Sequence, residues 1–153
     1  MAKYEVTYKC GHVVVEQLYG KYEDRYSYIN RAKNRPCPEC IKKHNLEVSQ
    51  EYTEAHSLPG LKGSEKQIAW ATCLRVDALE ALEHNVLPYA TTPDAINMTD
   101  FWRAEIINKT DSAWWIENRY FVPKPLTLAD NGAAIQIVKA LIRLFGQNSK
   151  NQN

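Results

Sequence analysis

Cys10-Gly11-His12 and Cys37-Pro38-Glu39-Cys40 are two short ligand pairs separated by a strand-like and a helix-like stretch. If one ion is to be held, the chain between them has to fold back and bring both pairs together. Thiolate sulfur and imidazole nitrogen suit Zn²⁺, and four protein ligands complete a tetrahedron with no position left for a substrate. Gly11 permits a tight ligand loop, and Pro38 between the two thiols matches the chemistry of a zinc knuckle. The spacing therefore predicts a structural Zn²⁺ site with Cys10, His12, Cys37 and Cys40 as ligands. His44, four residues after Cys40, is an alternative to His12 for the fourth place, and the spacing leaves both open. Catalytic zinc sites keep three protein ligands and a water. Glu39 lies inside the second pair, but the fourth ligand is already supplied, so the expectation is a protein that is not an enzyme.

The same spacing argues against disulfides and for a reducing, intracellular setting. No run approaches the roughly 20 apolar residues that span a bilayer, and the start of the chain leads straight into strand-like sequence with no targeting segment. The expected location is cytoplasmic.

Around the ligands the pattern is that of a hairpin and a helix. Residues 3–9 alternate, with Tyr4, Val6 and Tyr8 on one face, and Val13 to Tyr19 form the returning strand. Tyr22 to Asn34 read as a helix with Tyr22, Tyr26 and Ile29 as its packing stripe. Glu23 and Asp24 near its start, and Arg31, Lys33 and Arg35 at its end, complement the helix dipole. A second, polar helix is expected from Ile41 to about Glu54.

Ser57–Ser64 holds one proline, two glycines and two serines, which reads as a linker or sharp turn. Ser64 with Gln67 forms a capping box that opens a helix from Glu65 to about Asn85. Ile68, Ala71, Arg75, Ala78 and Leu82 line one side of it. Residues 86–98 read as loop. Thr99 is placed as the cap of a short helix to about Ile107, and Thr110 as the cap of another to Arg119. Thr127 or Asp130 starts a last helix, with Ile135, Val138, Ile142 and Phe145 as one stripe, Ile137, Leu141 and Leu144 beside it in a wide apolar face, and Gly146 as its stop. The fold class is α+β: a zinc-binding hairpin and helix module over residues 1–56, an all-helical domain over 57–146, and a disordered polar tail over 147–153.

Several residues invite a functional reading and have a plainer one. Cys73 sits among Trp70, Leu74 and Val76 and reads as a packing cysteine. His56 and His84 have no partner at motif spacing and read as surface residues. Trp114 and Trp115 are neighbours, about 100° apart on a helix, so one anchors the core and the other lies at its margin or on an interface. Trp70 and Trp102 read as core or boundary residues.

The overall charge is only +1, which does not announce a nucleic-acid binder, but it is uneven. Residues 1–45 hold nine Lys/Arg against five Asp/Glu, whereas residues 46–85 hold three against seven. Such polarity can steer a charged partner. Arg31, Lys33, Arg35, Lys42 and Lys43 gather around the second ligand pair with tyrosines upstream; they read either as a solvated helix end or as a combination able to grip a phosphate backbone or stack a base.

Tyr8-x-Cys10-Gly11-His12 with the later Cys37-Pro38-Glu39-Cys40 is similar to a group of small zinc-knuckle proteins encoded by phages and other bacterial mobile elements. The blocks Leu61–Ala71 and Asp111–Arg119 resemble segments of the same group, so the likeness touches both halves of the chain. In size and make-up the chain also resembles small metal-binding anti-CRISPR inhibitors. That resemblance implies a bacterial host cell and a protein partner, an RNA-guided host nuclease, most plainly a type II CRISPR effector. The alternative is a DNA- or RNA-binding accessory protein that uses the basic residues of the zinc module.

Overall fold

The computed structural model describes residues 2–127 and 130–146. The alternation near the N-terminus becomes strand β1 (Ala2–Thr7), antiparallel to β2 (Val13–Leu18), with Thr7 opposite Val13 and Ala2 opposite Leu18. Val6 and Tyr8 are buried and Tyr4 half-buried on one face, while Val13 and Val15 on the other face stay exposed. Helix α1 (Tyr22–Ala32) follows, opened by the Lys21 N–H donating to the Asp24 carboxylate at 3.3 Å.

The face that α1 buries differs from the expected stripe. Ala32 is buried and Ile29 packs beside it against Val6 and Tyr8, whereas Tyr22 and Tyr26 are exposed and stack on each other, ring centres 6.1 Å apart. Arg25 lies over the Tyr4 ring at 5.7 Å, and the Tyr28 hydroxyl meets that of Tyr8 at 3.2 Å. Tyr26 and Tyr22 share a face, so the apolar periodicity was met by a surface stack instead of by burial. Helix α2 (Pro38–Ala55) begins three residues earlier than expected, so that Cys40 lies in its first turn.

The chain forms two compact units, the first ending at Glu47 and the second beginning at Val48, so the division falls inside α2. The first has a small core of Val6, Tyr8, Ala32 and Cys37.

The second unit is helical: α3 (Glu65–Asn85), a single 3-10 turn (Leu87–Tyr89), α4 (Pro93–Asn108), α5 (Ser112–Glu117) and α6 (Asn131–Phe145). The expected capping box is present, with the Ser64 Oγ accepting from the Gln67 N–H and the Gln67 side chain returning to the Ser64 N–H. Helix α3 is buried on nearly every side and packs against α4, α5 and α6. Residues 57–64 are stapled down: Leu58 and Leu61 pack on the core, Lys62 bridges to Asp111, and Arg75 donates to the Pro59 carbonyl at 2.7 Å.

Three helix starts or faces depart from expectation. Helix α4 starts at Thr92-Pro93, a side-chain cap followed by a proline that has no N–H to lose. Thr99 is buried inside α4, its hydroxyl donating to the Ile96 carbonyl. Asp111, not Thr110, caps α5. On α6 the expected flanking residues Ile137 and Leu141 are buried together with Ala133 and Ala134, whereas Ile135 of the expected stripe is exposed. Asp130 caps α6, and Gly146 ends it at φ +75°. The expected tail, 147–153, lies outside the described residues. No helix among the described residues is long and apolar enough to cross a membrane.

Candidate metal centre

The β1–β2 loop is drawn tight by its own backbone. The Tyr8 N–H donates to the His12 carbonyl at 3.0 Å and the Gly11 N–H to the Tyr8 carbonyl at 2.9 Å. Gly11 takes φ +82°, a left-handed conformation that a side chain disfavours. Cys10 and His12 therefore leave the loop on either side of a glycine hinge. The second pair is placed by the start of α2. Cys37 immediately precedes that helix, and its sulfur accepts the Cys40 N–H at 3.4 Å, so a thiol occupies the role a serine or aspartate usually takes at a helix start.

Two further bonds join the pairs. The Lys9 N–H donates to the Arg35 carbonyl at 3.0 Å, and the Cys37 N–H donates to the Cys10 sulfur at 3.2 Å. The Nδ1 of His12 then lies 3.5 Å from the Cys37 sulfur and 3.2 Å from the Cys40 sulfur. All four donor atoms fall within 4.8 Å of one another, close enough to hold one metal ion, and all four cysteines of the chain are free of disulfides. Between the two histidines left open by spacing, the fold brings His12 to the thiols; His44 is exposed on α2 and outside the group.

The electrostatics of the sulfurs agree with a site built for a cation. Cys10 is drawn down to about 6, first by the backbone N–H of Cys37 and then by that of His12. Cys40 is pushed up to about 11, first by its hydrogen bond with the Cys37 thiol and then by desolvation. Like charges on neighbouring sulfurs disfavour one another. A cation at the centre removes that conflict.

Support around the donors is aromatic. Tyr8 is buried, donates to Glu16 at 2.7 Å and meets Tyr28, and burial first, then these partners, holds its hydroxyl proton beyond the usual tyrosine range. The Arg35 guanidinium lies over the Tyr28 ring at 5.0 Å and over the Tyr8 ring at 6.0 Å. Spacing rules find donors; they do not find this stack, because Tyr8, Tyr28 and Arg35 meet only through the packing of α1 on the hairpin.

Arg31, Lys33, Arg35, Lys42 and Lys43 are all exposed. Lys42 pairs with Glu39 at 2.9 Å, Lys43 with Glu47 at 3.8 Å, and Lys33 bonds the Asn30 amide oxygen. Cys73 is half-buried on α3, and His56 and His84 are exposed, His56 stacking on Tyr52 at 4.0 Å. Trp115 and Trp102 are core residues, Trp114 is half-buried against Phe145, and Trp70 is exposed. No protein-family model, curated protein or solved structure matches this chain.

Proposed function

We propose that this is a non-enzymatic protein whose first unit is held by a structural zinc ion and which acts by binding a macromolecule. The observation that carries the reading is the closed set of three sulfurs and one imidazole. Zinc–sulfur bonds of about 2.3 Å and zinc–nitrogen bonds of about 2.0 Å put tetrahedral donors about 3.5–3.8 Å apart. The separations of 3.5 and 3.2 Å from His12 to the Cys37 and Cys40 sulfurs are close to that edge length. Soft thiolates with imidazole in a tetrahedral set favour zinc over the harder divalent ions. Glu39, the carboxylate nearest in sequence, is turned to Lys42, and this supports a site without a general base.

For the partner, the reading follows the sequence resemblance: an RNA-guided host defence nuclease of the type II CRISPR class, occluded by direct contact. The exposed tyrosine pair Tyr22 and Tyr26 and the exposed Val13 and Val15 supply side chains of the kind that anchor protein interfaces. A grip on nucleic acid through the five basic residues of this unit is less favoured, because Lys42 and Lys43 already face carboxylates.

Elemental analysis of the purified chain should give one zinc per molecule, and X-ray absorption should show three sulfurs and one nitrogen. A bound water in that shell would exclude the structural reading. Gel filtration with a type II effector, without target DNA, should show co-elution, and cleavage by the effector should fall. Separate elution and unchanged cleavage would remove this partner while leaving the zinc assignment intact.

A further inference from the structure

We propose that the second unit carries a binding surface for single-stranded nucleic acid, formed by Trp70, Arg119, Tyr120, Phe121, Lys139 and Arg143. Three large rings stand in solvent here. Tyr120 is 80% exposed, Trp70 49% and Phe121 47%. The Arg119 guanidinium connects two of them, 4.3 Å from the centre of the Tyr120 ring and 5.8 Å from that of Trp70.

Tyr120 is also held in place. Arg119 donates to its hydroxyl at 3.0 Å, and the other guanidinium nitrogen donates to the Ile116 carbonyl at 2.8 Å. Folding gains little from fixing a ring that remains almost wholly in water. A ring fixed by a guanidinium on one face, with the other face left to solvent, suits stacking, because the ordering cost is met before a ligand arrives.

Beside Tyr120 and Phe121, a shallow groove of about 270 Å³ runs along α6 and is lined by Gln136, Lys139 and Arg143, with no carboxylate among its lining residues. Lys139 and Arg143 form no ion pair among the described residues. They are four positions apart on one helix face, about 6 Å along its axis, a reach suited to successive phosphates of an extended strand. Two uncompensated cations select an anion, and the adjoining rings select a flat one. A single strand offers phosphates and bases together, and stacking on aromatic rings tolerates any base. An acidic peptide would use the cations and leave the rings idle. A duplex hides its base faces.

The test is fluorescence anisotropy with the zinc-loaded full chain and a labelled oligothymidylate of about a dozen nucleotides. Binding is expected, with Tyr120→Ala weakening it about tenfold while leaving the thermal midpoint and zinc content unchanged. Replacing Lys139 and Arg143 together by glutamine should flatten the dependence of log K on log salt by about 1.4, as expected for two lost phosphate contacts on a single strand. A double Arg31→Ala, Lys33→Ala variant should bind as the parent does, which separates this surface from the first unit. The proposal is overturned by absence of binding, by equal affinity for duplex, or by an unaltered affinity in Tyr120→Ala. Competition by thymidine monophosphate as strong as by the oligomer, or displacement by polyglutamate, would equally overturn it in favour of a nucleotide pocket or an acidic protein partner.

Discussion

His12 enters the donor group because one glycine turns the hairpin loop so that its Nδ1 faces two sulfurs. Replacing it by alanine removes a ligand outright, and metal affinity should fall by more than the roughly 10–100-fold that changes in supporting residues typically cost. His12→Cys should restore binding with a four-sulfur signature, and His44→Ala should leave the zinc content at one per chain. Zinc titration with a chromophoric chelator distinguishes all three. A second residue-scale effect belongs to Asp77 on α3. Burial raises its carboxyl pKa above the usual 3.8, outweighing the attraction of Lys124. A raised acid favours the fold below its ordinary pKa, and that advantage is lost as pH rises through the higher folded value. At neutral pH the ionised side chain therefore costs stability. Asp77→Asn should raise the thermal midpoint at pH 7, and the gain should disappear below the ordinary carboxyl range.

Elements of the second unit are joined by single side chains that reach across the chain. Asn85, fully buried at the end of α3, donates to the Leu126 carbonyl and accepts from the Leu126 N–H, both at 3.0 Å. It acts as a strand partner to the backbone at Leu126, and Asn85→Leu leaves two backbone groups unmet. The expected loss is about 2–4 kcal/mol in denaturant unfolding. Gly63 lies at φ +154° with Ser112 pressed against it; an added methyl carbon would sit 3.0 Å from the Ser112 Cβ. Gly63→Ala should cost about 1–3 kcal/mol by straining the loop that Lys62 ties to α5. The Ser112 hydroxyl is itself buried with no partner among the described residues, so Ser112→Ala should be neutral or stabilise by up to about 1 kcal/mol. Equilibrium unfolding of the two single variants separates the effects, which share one contact and so need not add.

The capping box of α3 and the glycine stop of α6 were legible because each joins residues three or four apart. The start of α4 at Thr92-Pro93 lies in a stretch that reads as loop, and Thr99, the expected cap, is buried inside the helix. Periodicity finds an apolar stripe without saying what will cover it. For that reason Tyr22, Tyr26 and Ile135 fit a stripe and still remain exposed.

At the scale of the molecule the two units have unequal means of support. The first relies on Val6, Tyr8, Ala32 and Cys37, one of which is itself a donor, whereas the second buries three long helix faces and two tryptophans. A metal held by the proposed donor group would add its binding energy to the folding energy of so small a core. Removing the metal with a chelator should therefore unfold one part of the chain and spare the other. Hydrogen exchange after chelation should show protection lost across β1, β2 and α1 and kept across α3 and α6. Loss of protection in α3 and α6 at the same chelator concentration would show that the helical unit depends on the ion as well.

What the sequence determined alone is whatever neighbouring residues can settle among themselves: two donor pairs, a hairpin of alternating residues, helix caps and stops. These rest on contacts within one turn or one loop, and the chain encodes them wherever it is read. The tertiary structure decided the rest. It brought His12 and not His44 to the sulfurs, placed Arg35 over two tyrosine rings, paired Asn85 with Leu126, and left Trp70 and Tyr120 in water around Arg119. Those outcomes join residues far apart in the chain, and burial rewards whichever faces the final packing brings together, so no local pattern could have specified them.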